Sequence, residues 1–100
     1  YLRKPSNSMK VLLTDNYINR LNRQIQYIAE DKPLAARNFK AGLSKRIVEL
    51  QKFPFKHRES IFYPSKENRD LVYKGYVIVY NVDSIKQTIT IITIIKHVDY

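Results

Sequence analysis

Arg69-Asp70-Leu71-Val72-Tyr73-Lys74-Gly75-Tyr76-Val77-Ile78-Val79-Tyr80-Asn81-Val82, followed after a short break by Thr88-Ile89-Thr90-Ile91-Ile92-Thr93-Ile94-Ile95-Lys96-His97, decides how this chain folds. Valine, isoleucine, tyrosine and threonine fill both stretches, and the turn residues fall where hairpins need them. Lys74-Gly75 has the length of a two-residue turn, and glycine takes a positive φ at no steric cost. Asp83-Ser84 opens a second turn through side-chain bonding to nearby amides. Alternation along Tyr76–Val82 sets Tyr76, Ile78, Tyr80 and Val82 on one face and Val77 and Val79 on the other. Along Thr88–Val98 it sets Ile89, Ile91 and Ile95 against Ile92 and Ile94. Strands that are apolar on both faces belong inside a sheet. An uncharged run such as Thr88–Ile95 would invite aggregation at an open edge. It is therefore expected to be a central strand paired on both sides, with Ile91 and Ile94 facing opposite ways.

Upstream of these strands the period changes. Lys10-Val11-Leu12-Leu13-Thr14 is a short apolar run of strand length. Thr14 and Asp15 then supply N-cap oxygens, and Ile18, Leu21, Ile25 and Ile28 recur at helical steps. Pro33 disfavours helix at the residue before it, which ends this helix near Glu30, and it suits the first turn of a second helix. Ala36, Phe39, Leu43, Ile47 and Leu50 form the stripe of that second helix, which stops at Phe53-Pro54-Phe55. Gly42 inside it costs up to about 1 kcal/mol relative to alanine, a cost accounted for by close approach of the first helix. The short connection at Asp31-Lys32 makes the pair an antiparallel hairpin. Between Phe55 and Asn68 the chain is polar, with a short strand-like run at Ile61-Phe62-Tyr63 closed by Pro64. The expected fold is α+β: an N-terminal strand, an antiparallel helical hairpin, then three or four antiparallel strands in one sheet with the helices on one face.

One hundred residues fit one domain, here 9–100, with Tyr1–Ser8 read as a tag remnant or flexible arm and Met9 as the natural start. Hydrophobic residues make up 44%, too many for a disordered chain. With 18 Lys+Arg against 9 Asp+Glu the formal charge is +9, which favours an anionic partner such as nucleic acid, a ribosome, an acidic protein segment or a membrane surface. The alternative is charge that serves only solubility. No cysteine is present, which excludes disulfides and Cys-ligated zinc and agrees with a reducing cytoplasm. No apolar run approaches the roughly 20 residues of a membrane helix, so no membrane role is expected. His57 and His97 lie far apart with no supporting ligand pattern, and two glycines cannot make a phosphate loop, so no metal and no cofactor is expected.

The pattern R-x-L-V-x-x-G-Y-x-I-x-Y-x-V, then an Ile-rich strand ending in Lys96-His97, closely resembles the toxins of bacterial type II toxin–antitoxin modules, the RelE/ParE superfamily. Leu50-Gln51-Lys52-Phe53-Pro54 matches the end of the second helix in the ParE branch, Lys56-His57-Arg58 its basic loop, and Arg69 the arginine before its hairpin. Together these cover nearly everything from Met9 to Tyr100. The resemblance implies that the first strand inserts beside the last. It also implies a cytoplasmic toxin that inhibits DNA gyrase, is neutralised by an acidic antitoxin, and touches operator DNA only through that antitoxin. RelE-like relatives instead cut messenger RNA on the ribosome and carry arginines where this chain has Val77 and Val98. A site without those cations would stabilise a cleaving phosphate poorly, which favours the ParE branch. The alternatives are a ribosome-dependent mRNA endonuclease, and a degenerate member that keeps only antitoxin binding.

Lys52, Lys56, His57, Arg58 and Arg69 are the candidate target-binding residues. Against that stands an ordinary solvated loop, with Arg69 in an ion pair with Asp70 or bonded to helix-end carbonyls. The nuclease alternative would use His97 as acid or base, with Arg69 and Tyr100 beside it. Against that stands a strand-end histidine bonded to backbone. The tyrosines could stack on bases, but Tyr76 and Tyr80 on one strand face are read as core.

Overall fold

The computed structural model describes residues 9–97. The proposed arm at 1–8, and Val98 and Tyr100, lie outside the described residues. Six elements follow in order: β1 (Lys10–Leu13), α1 (Asp15–Asp31), α2 (Pro33–Glu49), β2 (Asn68–Tyr73), β3 (Tyr76–Asp83) and β4 (Thr88–Lys96). The sheet order is β1-β4-β3-β2. β2, β3 and β4 form an antiparallel meander, and β1 pairs parallel to β4, Lys10 opposite Thr88 and Leu13 opposite Ile91. The sheet is thus mixed, which corrects the antiparallel expectation at one strand. The chain must cross back over the sheet through α1 and α2 before β4 is made, so β1 and β4 are free to run the same way.

β4 is central, as its composition requires, but Ile91 and Ile94 do not face opposite ways. The register against β3 slips between Val79 and Tyr80: Val79 pairs with Thr93 and Tyr80 with Ile91, leaving Ile92 as the extra residue of a β-bulge. One extra residue returns Ile94 to the face of Ile91, and both join the core beneath the helices, with Ile89, Tyr76, Ile78, Tyr80 and Val82. The helix N-terminus secures the bulge. The Thr14 hydroxyl donates to the Ile92 carbonyl at 2.6 Å while its oxygen accepts from the Tyr17 amide at 3.1 Å. Further along, where β1 has ended, Arg20 Nε donates to the Ile94 carbonyl at 2.9 Å. Side chains of α1 therefore satisfy the stretch of β4 that β1 is too short to pair.

Tyr17 from α1 and Phe39, Leu43 and Leu50 from the α2 side complete the core. Gly42 permits a close approach, but to the sheet rather than to α1: a Cβ there would collide with the Tyr73 hydroxyl. Tyr73 ends β2, and Lys74 (φ 47°) and Gly75 (φ 84°) make the two-residue turn to Tyr76.

Ile61-Phe62-Tyr63 is not a strand. The Ser60 hydroxyl accepts from the amides of Phe62 and Tyr63, at 3.2 and 3.0 Å, and bends the chain away from the ladder. Only Glu59 bridges to Arg69. The bent segment folds over the outer face of the sheet: the Ile61 amide meets Asp70, the Tyr63 carbonyl accepts from Asn68 at 2.9 Å, and Phe62 stands edge-on to His97. Val77 and Val79, on this outer face, are fully buried. Among the described residues no helix is long and apolar enough to cross a membrane, and no group of three or more His, Cys, Asp or Glu side chains could hold a metal ion.

Candidate functional site

The basic stretch after α2 separates into two kinds of side chain. Lys52 and Lys56 are exposed, and among the described residues their side chains make no hydrogen bond or ion pair. The other three are tied into structure. Arg58 Nη2 lies 3.3 Å from Asp70 Oδ2, a carboxylate that is wholly buried. Arg69 donates from Nη1 to the His57 carbonyl at 3.0 Å and from Nη2 to the Lys66 carbonyl at 3.1 Å, with its guanidinium 4.9 Å from the Phe55 ring centre. The arginine that looked like a partner for Asp70 thus pins the loop, and Arg58 takes the carboxylate. His57 stands edge-on to Tyr80, ring centres 6.2 Å apart. Burial, then the Lys56 and Arg46 charges, push its imidazole below the usual histidine range. The Tyr80 hydroxyl donates to the Pro54 carbonyl at 2.7 Å, and burial raises its phenol pKa far above normal.

His97 and Arg69 are not brought together. Arg69 sits opposite Tyr80, on the helix face of β2. His97 is exposed at the turn end of the sheet, its amide donating to the Gly75 carbonyl at 2.8 Å and its ring against Phe62 on the outer face. Between them lies Val77, fully buried and paired with Val72 and Ile95.

A feature that charge counting missed is an apolar groove of about 580 Å³ between β1 and the helix hairpin. Val11 and Leu13 form one wall, Tyr17 and Leu21 of α1 the floor, and Ile47 and Val48 of α2 the other wall, with Lys10 and Lys40 at the rim. Leu13 is 49% and Val48 60% exposed. Burial lifts the Tyr17 phenol to about 12, so it stays neutral. The sequence held one signal for this groove: Val48 stands beside the core stripe of α2 rather than on it, and Leu13 closes a strand too short to be covered.

A model of the family described as the ParE toxin of the type II toxin–antitoxin system, parDE, matches residues 11–99. No curated protein matches the chain significantly. Among solved structures, a chain of the chromosomal ParDE toxin–antitoxin system from P. aeruginosa superposes with a TM-score of 0.74 at 14% identity, over 93% of this chain and 100% of that one. A chain of the RelBE2 toxin–antitoxin complex from Mycobacterium tuberculosis superposes with a TM-score of 0.58 at 14% identity, over 90% of this chain and 99% of that one. At this identity the likeness concerns the fold.

Proposed function

Because this chain belongs to the ParE toxin family of type II toxin–antitoxin systems, we propose that it inhibits DNA gyrase and is neutralised by an acidic, amphipathic antitoxin segment. Val77 is the observation that carries the choice of target. RNA cleavage needs cations held around a developing phosphorane, and a single such contact is worth ~10²–10³ in rate. Here the position next to Gly75-Tyr76 is a fully buried valine closed on both sides by neighbouring strands. Arg69 is committed to loop carbonyls on one side of the sheet, while His97 lies on the other. Exposed Lys52 and Lys56 are the cations available to an acidic target surface.

The apolar groove beside β1 suits the antitoxin. An amphipathic segment would place its apolar anchors on Leu13, Leu21 and Val48 and its carboxylates toward Lys10 and Lys40. Charge of this kind chiefly raises the association rate and fades with salt, while the apolar anchors set dissociation.

The test is expression without a partner, followed by purified supercoiling and ribosome-dependent mRNA-cleavage assays. Loss of supercoiling with no A-site cleavage is expected, and Lys52→Ala with Lys56→Ala should weaken inhibition while His97→Gln leaves it intact. Robust mRNA cleavage that disappears in His97→Gln would overturn the gyrase assignment.

A further inference from the structure

A second cleft, away from both the groove and the basic loop, is lined almost wholly by hydrogen-bond donors. It opens where α1 passes the end of β4, encloses about 220 Å³, and is walled by Arg20, Arg23 and Gln24 of α1 with Ile94 and Lys96 of β4. No carboxylate lines it. Arg20 is already oriented: its Nε is spent on the Ile94 carbonyl, so the two Nη nitrogens of the rigid guanidinium remain for a ligand. Gln24 is oriented as well, because its Oε1 accepts from the Tyr76 hydroxyl at 2.9 Å, which turns the amide nitrogen outward as a donor. Arg23 follows Arg20 by three residues and shares its helix face. Three formal positive charges thus meet with no internal counter-charge.

An anion with several acceptor oxygens answers this arrangement. Arginine forks fit phosphate in a bidentate manner, and an ammonium adds a point charge. More cations continue along the same end of the sheet. Tyr76 pairs with Lys96, and Lys74 stands two residues before Tyr76. The Lys74 ammonium lies 5.6 Å from the centre of the Tyr73 ring and the Arg46 guanidinium 5.8 Å from it, with Arg46 Nε also 3.9 Å from Glu49 Oε1, a half-exposed pair that leaves its Nη nitrogens for a phosphate. A row of cations running from α1 across the turn to α2 matches a polymer of phosphates better than a single ion. We propose that this cleft holds a phosphodiester of a nucleic-acid backbone, with Arg20, Arg23 and Lys96 on one phosphate and Lys74 and Arg46 directed to its neighbours. The proposal stands apart from the choice of gyrase as target, since it concerns the chain alone.

The experiment is fluorescence anisotropy of the full chain with two labelled probes, a duplex DNA of about two helical turns and a single-stranded RNA of equal length. Each would be titrated between about 50 and 200 mM salt. The double variant Arg23→Ala/Lys96→Ala removes two cleft cations that make no hydrogen bond or ion pair among the described residues, so its melting temperature should match the parent. Its affinity should fall about tenfold, and its slope of log affinity against log salt by about one. The double variant Lys66→Ala/Lys86→Ala, at the opposite end of the sheet, has the same net charge as the cleft variant but leaves the cleft whole. It should lose less than about threefold, because distant exposed charges are screened. The probe that suffers the larger loss identifies the polymer. Equal loss in both variants, an unchanged slope in the cleft variant, or no binding of either probe would overturn the proposal. So would an oligoglutamate peptide whose binding needs Arg23 and Lys96 while duplex and RNA binding do not.

Discussion

At the residue scale, three positions carry more constraint than their type suggests. Gly42 sits in a helix, where alanine would ordinarily gain up to about 1 kcal/mol, but the Tyr73 hydroxyl occupies the space a methyl would need. Gly42→Ala should therefore destabilise the protein by about 1–3 kcal/mol through overpacking. Tyr73→Phe removes the obstructing oxygen, so urea unfolding of the double variant should recover most of the loss. Asp70 is buried with Oδ1 lacking a partner among the described residues, and Oδ2 is shared by Arg58 and the Ile61 amide. Arg58→Ala should cost about 1–3 kcal/mol, less than for a fully buried pair because Arg58 is itself half exposed. Asp70→Asn in the same chain should soften that cost; if it does not, the charge is not what Arg58 serves. Burial, with the Lys56 and Arg46 charges, holds His57 below its ordinary value of 6.5 in the folded chain. The unfolded state then binds more protons as pH falls. Stability should be full above about pH 6.5, decline on going below it, and level off once pH passes the folded pKa. Melting temperatures of the parent and His57→Gln between about pH 5 and 7.5 should diverge only at the acid end.

At the element scale, the β-bulge at Ile92 and the N-cap of α1 are one structure. Thr14 caps the helix and also satisfies the carbonyl that the bulge exposes. Thr14→Val keeps the shape but removes both bonds, so the expected loss is about 2–3 kcal/mol, above the ~1 kcal/mol typical of a cap alone. A loss near 1 kcal/mol would mean that the Ile92 carbonyl finds water at no cost. Replacing Ile91 or Ile94 by Asp should each cost several kcal/mol, since both now enter the same core. The half-buried Ile92 should tolerate Asp better. Strand and helix positions were readable in the chain because period, capping residues and turn residues agreed: Thr14 caps, Pro33 starts α2, Lys74-Gly75 turns. The bulge was not readable, because an all-apolar strand looks the same with one residue added. The strand expected at Ile61-Phe62-Tyr63 failed because Ser60 competes for its amides. For the site, the basic residues were visible but their roles were not. Whether an arginine meets a carboxylate or a carbonyl depends on which strand lies beside it: Arg58 takes the Asp70 carboxylate that sits next to Arg69 in the chain, and Arg69 bonds loop carbonyls instead. The place of the groove was not readable, because its walls come from three elements.

At the scale of the whole molecule, the groove joins apolar walls to a charged rim at Lys10 and Lys40, and salt should separate the two contributions. Association of the toxin with an acidic antitoxin segment should slow as salt rises, with dissociation nearly constant, while Val48→Ala should speed dissociation at every salt concentration. Stopped-flow mixing resolves the two, and a dissociation rate that climbed steeply with salt but ignored Val48 would contradict the groove as the anchor. The parallel pairing of β1 with β4 reaches further. Lys10 finds Thr88 only after nearly all of the sheet and both helices have been made. Contacts that distant slow folding, and on the ribosome they set its order. The first strand to emerge waits for the last, and the helical hairpin waits with its apolar stripe uncovered. A nascent chain stopped short of Ile91 has neither the central strand nor the wall that β1 lends to the groove. The groove is thus assembled only after β4 has been made, so a chain interrupted before that strand has no formed wall to offer a partner.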